Sequence, residues 1–371
     1  MPILKMNSSV LMLIAYLLIT TNLSAQKIVP LQVETERLRH LTTGYQGGSL
    51  LKIDSSTSLV NFGNVYPVII ENSTGKLIKE MDQIQVAEAL DKILKKEYID
   101  VFELLPDGYR SKFCAAHPYG FEEFESVPNS DLIVCKIRCA VKYKHILDDG
   151  LIDVIAIFDK QLKLINMYEM EPYNETLLNA GVGCFITDKD NFYVAKTFPS
   201  EEKKGAKSFT DPFYGIFVHF KREGDMFCNV DELKSIEMSN TLCYFPGRFA
   251  TMFQHDGYYY LLNGKKLVKA KDLNDRNAKV INTHIADNEY IAILKPYKDR
   301  LVGLNIDNDI EGISDNISLF LADYSFKNVK RVKKYDVYKF GVRDIEIIDD
   351  QIYVLLYNKT SGKFLFDIMK F

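Results

Sequence analysis

Beyond residue 40 the chain alternates short apolar runs with polar turn residues. Asp131-Leu-Ile-Val-Cys-Lys-Ile-Arg-Cys139, Asp153-Val-Ile-Ala-Ile-Phe158, Tyr258-Tyr-Tyr-Leu-Leu262 and Gln351-Ile-Tyr-Val-Leu-Leu356 are rich in β-branched and aromatic residues and bounded by Gly, Asn, Asp or Pro. That pattern predicts strands. Some of the runs pair into hairpins: Val68 to Ile78 places Asn-Ser-Thr-Gly between two apolar arms, and Leu261 to Val268 turns on Asn263-Gly264. Asn-Gly suits a two-residue turn because both central positions need positive φ.

One segment departs from this pattern. Between Met81 and Leu105, Ile84, Ala87, Leu90, Ile93, Leu94 and Val101 recur at three- and four-residue spacing, ahead of Pro106-Asp107-Gly108. This predicts an amphipathic helix inserted at about 81–105 and packed by its one apolar stripe across the β domain.

A weak repeat runs through the strand region. An acidic or polar turn followed by an apolar, often tyrosine-bearing strand recurs at Asp131, Asp190, Asp256, Asp299 and Asp350, at spacings of 59, 66, 43 and 51 residues. A first copy is expected near Gly48-Ser-Leu-Leu51. Some copies are followed by a partner strand of the form Ile157-Phe-Asp-Lys-Gln-Leu-Lys-Leu164. Repeats of roughly this length point to propeller blades. Six anchors with about four strands each predict an all-β, six-bladed β-propeller, closed by early strands around residues 39–53 joining the last blade near Lys363 to Phe371.

The same residues, behind the amino-terminal segment described next, resemble the NHL-like and TolB-like six-bladed propellers exported by Bacteroidetes. The resemblance spans about residues 40–371. It implies a binding platform more often than an enzyme. The Trp-Asp mark of WD repeats is absent, since the chain has no Trp.

The amino-terminal 25 residues stand apart: Lys5, an apolar run from Val10 to Ile19, then Ser24 and Ala25 before Gln26. This is the layout of a cleaved signal peptide, and the run is shorter than the roughly 20 residues a membrane span needs. The expectation is therefore a leader at 1–25, a single propeller domain at 26–371, and a periplasmic or secreted protein with no membrane span in its mature chain. Lys and Arg number 46 against 50 Asp and Glu, a balance that argues against a general nucleic-acid partner. An even number of cysteines in an exported chain permits disulfides, but most of the six lie inside apolar runs. Cys135 and Cys139 would share one face of a strand at roughly 13 Å, too far apart to bridge. The favoured reading is buried thiols.

Catalytic motifs are missing. There is no His-Glu-x-x-His, no Gly-x-Ser-x-Gly and no phosphate loop, and the six His are scattered. Asp307-Asn-Asp309-Ile-Glu311-Gly-Ile-Ser-Asp315 supplies most of a calcium loop, with Gly312 at its sixth position. Glu311 at position five and Ser318 at position twelve depart from the pattern. A solvated connection between strands is favoured there, with calcium through Asp307, Asp309, Glu311 and Asp315 as the competing assignment; no other cofactor is indicated. Two aromatic turns, His117-Pro-Tyr-Gly-Phe121 and Phe245-Pro-Gly-Arg-Phe249, could offer stacking faces and a guanidinium to a ligand. The expected site is therefore Tyr119, Arg248, Phe249 and His255 at one mouth of the channel, binding a peptide, protein or glycan without catalysis. The alternative is a propeller enzyme, a polysaccharide lyase or a calcium-dependent lactonase-like hydrolase.

Overall fold

The structure, a computed structural model, describes residues 26–33, 49–62, 67–94, 98–99, 119–143, 149–169, 181–186, 188–199, 213–224, 226–238, 252–263, 266–272, 278–283, 289–308 and 314–370. These residues form a six-bladed β-propeller. Strand β1 (Lys27–Pro30) stands apart from the blade that follows it. Blade 1 is β2 (Ser49–Lys52), β3 (Thr57–Asn61), β4 (Val68–Glu71) and β5 (Leu77–Glu80). Blade 2 contains β6 (Tyr98–Ile99), β7 (Tyr119–Ser126), β8 (Leu132–Tyr143), β9 (Asp149–Asp159) and β10 (Leu164–Glu169), with β6 and β7 pairing successive parts of β8. Blade 3 is β11 (Gly181–Ile186), β12 (Asn191–Pro199), β13 (Phe213–Glu223) and β14 (Met226–Met238). Blade 4 is β15 (Met252–His255), β16 (Tyr258–Asn263), β17 (Lys266–Ala270) and β18 (Lys279–Asn282). Blade 5 is β19 (Glu289–Tyr297), β20 (Arg300–Asn308), β21 (Ser314–Asp323) and β22 (Val329–Asp336). Blade 6 is β23 (Phe340–Ile348), β24 (Gln351–Asn358) and β25 (Lys363–Lys370), completed by β1.

That completion closes the ring. Strand β1 pairs antiparallel with β25, from Lys27 opposite Ile368 to Pro30 opposite Leu365. Closure thus uses the expected carboxy-terminal strand but an earlier amino-terminal segment, and residues 49–52 form the inner strand of blade 1 instead. Pro30 fits because β1 is an outermost strand, where a missing N–H costs no ladder bond. Val29 and Leu31 are buried while Ile28 faces out, so the alternation of a half-buried strand holds.

Apolar clusters between blades make up the core. One lies between blades 1 and 2, others between blades 2 and 3, 4 and 5, 5 and 6, and 6 and 1. Cys135 and Cys139 are buried thiols in the first of these, as the sequence suggested. Helix α1 (Gln83–Ile93) covers that cluster with Val86, Leu90 and the capping Leu94, and Ala89 and Ile93 pack against it. Asp82 caps its start by accepting the Gln85 N–H at 3.1 Å. The helix is shorter than expected, because Leu94 turns extended and Tyr98 and Ile99 pair with β8, as their aromatic and β-branched character favours. Ile84, assigned from spacing to the buried stripe, is 73% exposed. Residues 100–105, including Val101, lie outside the described residues.

The repeated Asp anchors have a common place. Asp131, Asp190, Asp256, Asp299 and Asp350 all fall in the turn joining the first and second strands of blades 2 to 6. Asn129, Asp256, Lys298, Asp349 and Asp350 in these turns have positive φ, a conformation that Asn and Asp tolerate better than most residues. In blade 1 the matching turn begins at Asp54, whose carboxylate accepts the Ser56 and Thr57 N–H groups at 2.7 and 2.8 Å. The Gly48-Ser-Leu-Leu51 anchor was therefore one strand early. The Ile-Phe-Asp-x-x-x-Lys-Leu motif spans the hairpin between the third and fourth strands, where Asp159 accepts the Gln161 and Lys163 N–H groups at 2.8 and 2.9 Å.

Candidate functional site: the channel and its lower mouth

The inner strands β2, β7, β11, β15, β19 and β23 each touch the next, and β23 touches β2. They ring a central axis. Each blade is an antiparallel meander, and β22 reaches β23 through residues 337–339 alone, so successive inner strands run the same way. Their starts define a top face and their ends a bottom face.

Four inner strands carry a bulge at a matching point, β11 between Gly181 and Cys184 among them. Pairing skips a residue between Phe121 and Glu123 in β7, between Ile291 and Ile293 in β19, and between Val342 and Asp344 in β23. Bulges re-aim the side chains that follow them. Counted from the skipped residue, Glu125, Lys295 and Glu346 occupy the same position on blades 2, 5 and 6, which sets them at one level of the channel near its lower end. Asp344 and Glu123 sit at the level above.

Most of this girdle is satisfied. Lys295 Nζ lies 2.8 Å from Glu346 Oε2, and the other Glu346 oxygen accepts the Ile347 N–H at 2.8 Å. Asp344 accepts the N–H groups of Leu50 and Ile345, each at 2.7 Å, which ties blade 6 to blade 1. Glu125 differs, since no hydrogen-bond donor reaches it among the described residues. Its side chain is half-buried, and the protein packed around it leaves its charge less screened than in bulk water. That burial, opposed by Lys295 and reinforced by Glu346, Glu123 and Asp344, pushes Glu125 up to about 8. Burial likewise raises Asp344 to about 6, with Lys295 and the Leu50 amide opposing. Burial pulls the Lys295 ammonium down, but Glu346, Asp344 and Glu125 outweigh it and hold Lys295 above its ordinary range.

Below the girdle, a line of contacts crosses the bottom face from blade 4 to blade 2. The His255 ring stacks on Tyr324 at 4.1 Å between centroids, and His255 Nε2 lies 3.3 Å from Asp256 Oδ2. The Tyr324 hydroxyl donates to the Lys298 carbonyl at 3.4 Å. Lys298 Nζ lies 2.9 Å from Asp350, which also accepts the Tyr297 hydroxyl. Asp349 pairs with Lys52 at 2.9 Å, and Ser126 Oγ donates to the Lys52 carbonyl at 3.4 Å. Exposed pairs like these add little stability individually, but together they fix where neighbouring turns stand. Hydrogen bonds from Tyr297 and Lys298 hold the Asp350 carboxyl below its usual range, while burial raises Tyr324, helped by the nearby Tyr260, Asp256 and Asp299.

His255, expected in the site, thus belongs to the bottom face. Tyr119 does not join it: it begins β7, and its strand-mate Ser126 is the residue at the bottom, roughly 20 Å away at about 3.3 Å per residue. Both flank apolar strands, but one precedes an inner strand and the other follows one. Arg248 and Phe249 lie outside the described residues. Of the acidic loop, Asp307 and Asp315 belong to β20 and β21, the second and third strands of blade 5, and Asp309 and Glu311 lie outside the described residues. Among the described residues no three His, Cys, Asp or Glu side chains form a group able to hold a metal, and no helix is long and apolar enough to cross a membrane.

Glu125, Lys295, Asp344 and Glu346 were missed from sequence. Their signal is local: Glu123-Phe-Glu125 and Asp344-Ile-Glu346 alternate acids with apolar residues, and Glu125, Lys295 and Glu346 stand four to six residues ahead of the anchors Asp131, Asp299 and Asp350.

No family model matches the chain, and no curated protein matches it. Among solved structures it is similar to a protein of unknown function from Bacteroides caccae, at 12% identity over 78% of this chain and 82% of that one, with a TM-score of 0.42. It is similar to a glycoside hydrolase at 12% identity over 78% and 95% of the two chains, TM-score 0.42. A third is the propeller of Dos1, at 12% identity over 88% and 68%, TM-score 0.39. The strand pairing described above defines the fold independently of these likenesses.

Proposed function

We propose that this chain is an extracytoplasmic, non-enzymatic binding propeller for a peptide, protein or glycan, with the ligand lying across the bottom face over the lower mouth of the channel. One observation carries this reading: the continuous line from His255 and Tyr324 through Lys298 and Asp350 to Lys52 and Ser126. It offers aromatic faces, a carboxylate and an ammonium along one connected strip, a mixture suited to ligands with both apolar and polar faces. Export through the 1–25 leader would place the face outside the cytoplasm. A glycan and peptide array probed with wild type, His255→Ala and Tyr324→Ala tests the reading, with Lys334→Ala on outer strand β22 as control. Binding that both face variants weaken and the control leaves alone is the expected result. Binding indifferent to both contradicts it.

The girdle favours a second reading, a channel enzyme. A carboxyl raised to about 8 beside one raised to about 6 is a pairing that general acid–base chemistry uses. A lyase or hydrolase of this kind would lose turnover in Glu125→Gln while still binding its substrate.

A further inference from the structure

The bottom end of blade 5 holds a cleft of about 570 Å³ lined by three cations, a volume in the range of small-molecule sites. Arg300 comes from β20, Lys327 from the turn between β21 and β22, and Lys330 from β22 itself. Arg300 pairs with Asp323, and Leu321 pairs with both Val302 and Lys330. This register sets Arg300, Leu321, Asp323 and Lys330 on one face of the blade, the one turned toward blade 6. Two acids complete the charged lining, and neither is paired with a lysine. Asp323 spends both oxygens within its own turn. One accepts the Ser325 N–H, the Ser325 hydroxyl and the Lys327 N–H at 2.9, 2.6 and 3.2 Å. The other accepts the Asn328 N–H and side-chain amide at 3.1 and 2.7 Å. Asp299 is 86% exposed, and its ion pair is a long one to Arg300 Nε, at 3.8 Å. Lys327 and Lys330 have no acidic partner among the described residues.

Lysines on an outermost strand deter pairing with other chains, which accounts for Lys330 alone. Arg300 lies on a second strand and Lys327 in a turn, where there is no edge to defend. The turn is also held firmly. Besides the bonds to Asp323, Phe326 is 1% exposed and packs on Phe320 at 6.3 Å between ring centroids. Lys327 is therefore presented from a backbone that needs no ordering on binding.

We infer that this cleft binds the anionic group of an acidic oligosaccharide, a carboxylate or sulfate carried on a sugar ring. It gives the bottom-face reading a ligand class and rests on that reading for the ligand's place, since Arg300 follows the turn of Lys298 and Asp323 precedes Tyr324. The Arg300 guanidinium can meet such an anion with parallel N–H donors, and the lysines add point charges. The apolar lining separates a sugar from an acidic peptide. Leu321 and Val329 also line the cleft, and Val329 is 43% exposed. A sugar ring covers such surface with its C–H face while holding the anion at its edge. A glutamate side chain delivers its carboxylate on a flexible stem, leaves that surface bare and loses rotamer freedom.

The test is titration calorimetry on the full chain with tetragalacturonate, its methyl ester, a sulfated galactose tetramer, its unsulfated counterpart and a capped hexaglutamate peptide. At least one acidic tetramer should bind about ten-fold or more tightly than its neutral counterpart, the scale of one hydrogen bond to a charged group. Which of the two does so identifies the anion. Arg300→Gln, and Lys327→Gln combined with Lys330→Gln, should each reduce that preference while keeping the melting temperature. Lys334→Ala, toward the other end of β22, should leave it unchanged. Equal affinity for acidic and neutral tetramers, no binding of either acidic tetramer at millimolar concentration, or an undiminished preference in the folded cleft variants would each overturn the inference. Hexaglutamate bound as tightly as the acidic tetramer, or an equal loss in Lys334→Ala, would overturn it too. The tetramer comparison is made on wild type, so it stands even if a variant does not fold. An array ligand that needs His255 and Tyr324 but ignores the cleft variants would overturn the cleft and leave the bottom-face reading standing. An acidic tetramer that needs the cleft but ignores His255→Ala and Tyr324→Ala would overturn that strip and leave the cleft standing.

Discussion

Gly75 lies so close to the carbonyl oxygen of Pro30 that a Cβ on Gly75 would overlap it. Gly75 also has φ +70°, and its own carbonyl accepts the Gln32 N–H at 2.7 Å. The turn between β4 and β5 of blade 1 is thereby fastened to the strand that closes blade 6. Gly75→Ala would combine an unfavourable left-handed backbone with a displaced latch, and about 2–4 kcal/mol of lost stability is expected. Urea unfolding measures the loss, and faster hydrogen exchange at the β1 amides would locate it.

Asp367 joins blades 5 and 6. It is 1% exposed, accepts the Tyr335 hydroxyl at 2.8 Å and pairs with Lys333. Asp367→Ala would leave a buried hydroxyl and an ammonium without their acceptor, at a cost of about 2–4 kcal/mol by denaturant midpoint. The double variant Asp367→Leu with Lys333→Met, which removes both charges, should recover a good part of that loss.

Stability should fall as pH rises from about 4 to about 8. Glu125 and Asp344 have folded pKa values near 8 and 6, above their ordinary 4.5 and 3.8. The native state therefore holds these protons more tightly than the unfolded chain, so their contribution is present below pH 4 and lost as pH climbs through the folded values. Asp323, lowered to about 2 by hydrogen bonds from Ser325 and Asn328, works in the opposite sense but only below its ordinary 3.8. Melting temperatures between pH 4.5 and 8.5 should decline for wild type. The decline should be shallower above pH 6 for Glu125→Gln, which stays neutral.

Much of the fold was legible because turn chemistry repeats. Asp131, Asp190, Asp256, Asp299 and Asp350 mark one turn in five blades, and the apolar strands after them are second strands held between neighbours on both sides. The inner strands were harder to read. They carry Glu123, Glu125, Lys295, Asp344 and Glu346 toward a channel, so they lack the continuous apolar run that announces a buried strand. Bulges shift their alternation by one residue, and only pairing partners reveal a bulge. The closing strand was hidden for a different reason, since its four residues end in Pro30. The site was legible in part. His255 reaches the bottom face as an aromatic turn residue should, but its neighbour Tyr324 comes from the next blade, a contact that sequence spacing cannot show.

The face that binds ligand is measured most directly by hydrogen exchange of the full chain with and without a ligand from the array. Binding across the bottom face predicts new amide protection in the turns at 127–131, 256–257, 298–299 and 349–350, with the β22–β23 turn at 337–339 and the start of β7 at Tyr119 unchanged. Protection confined to 337–339 and Tyr119 would place the ligand on the top face and contradict the account.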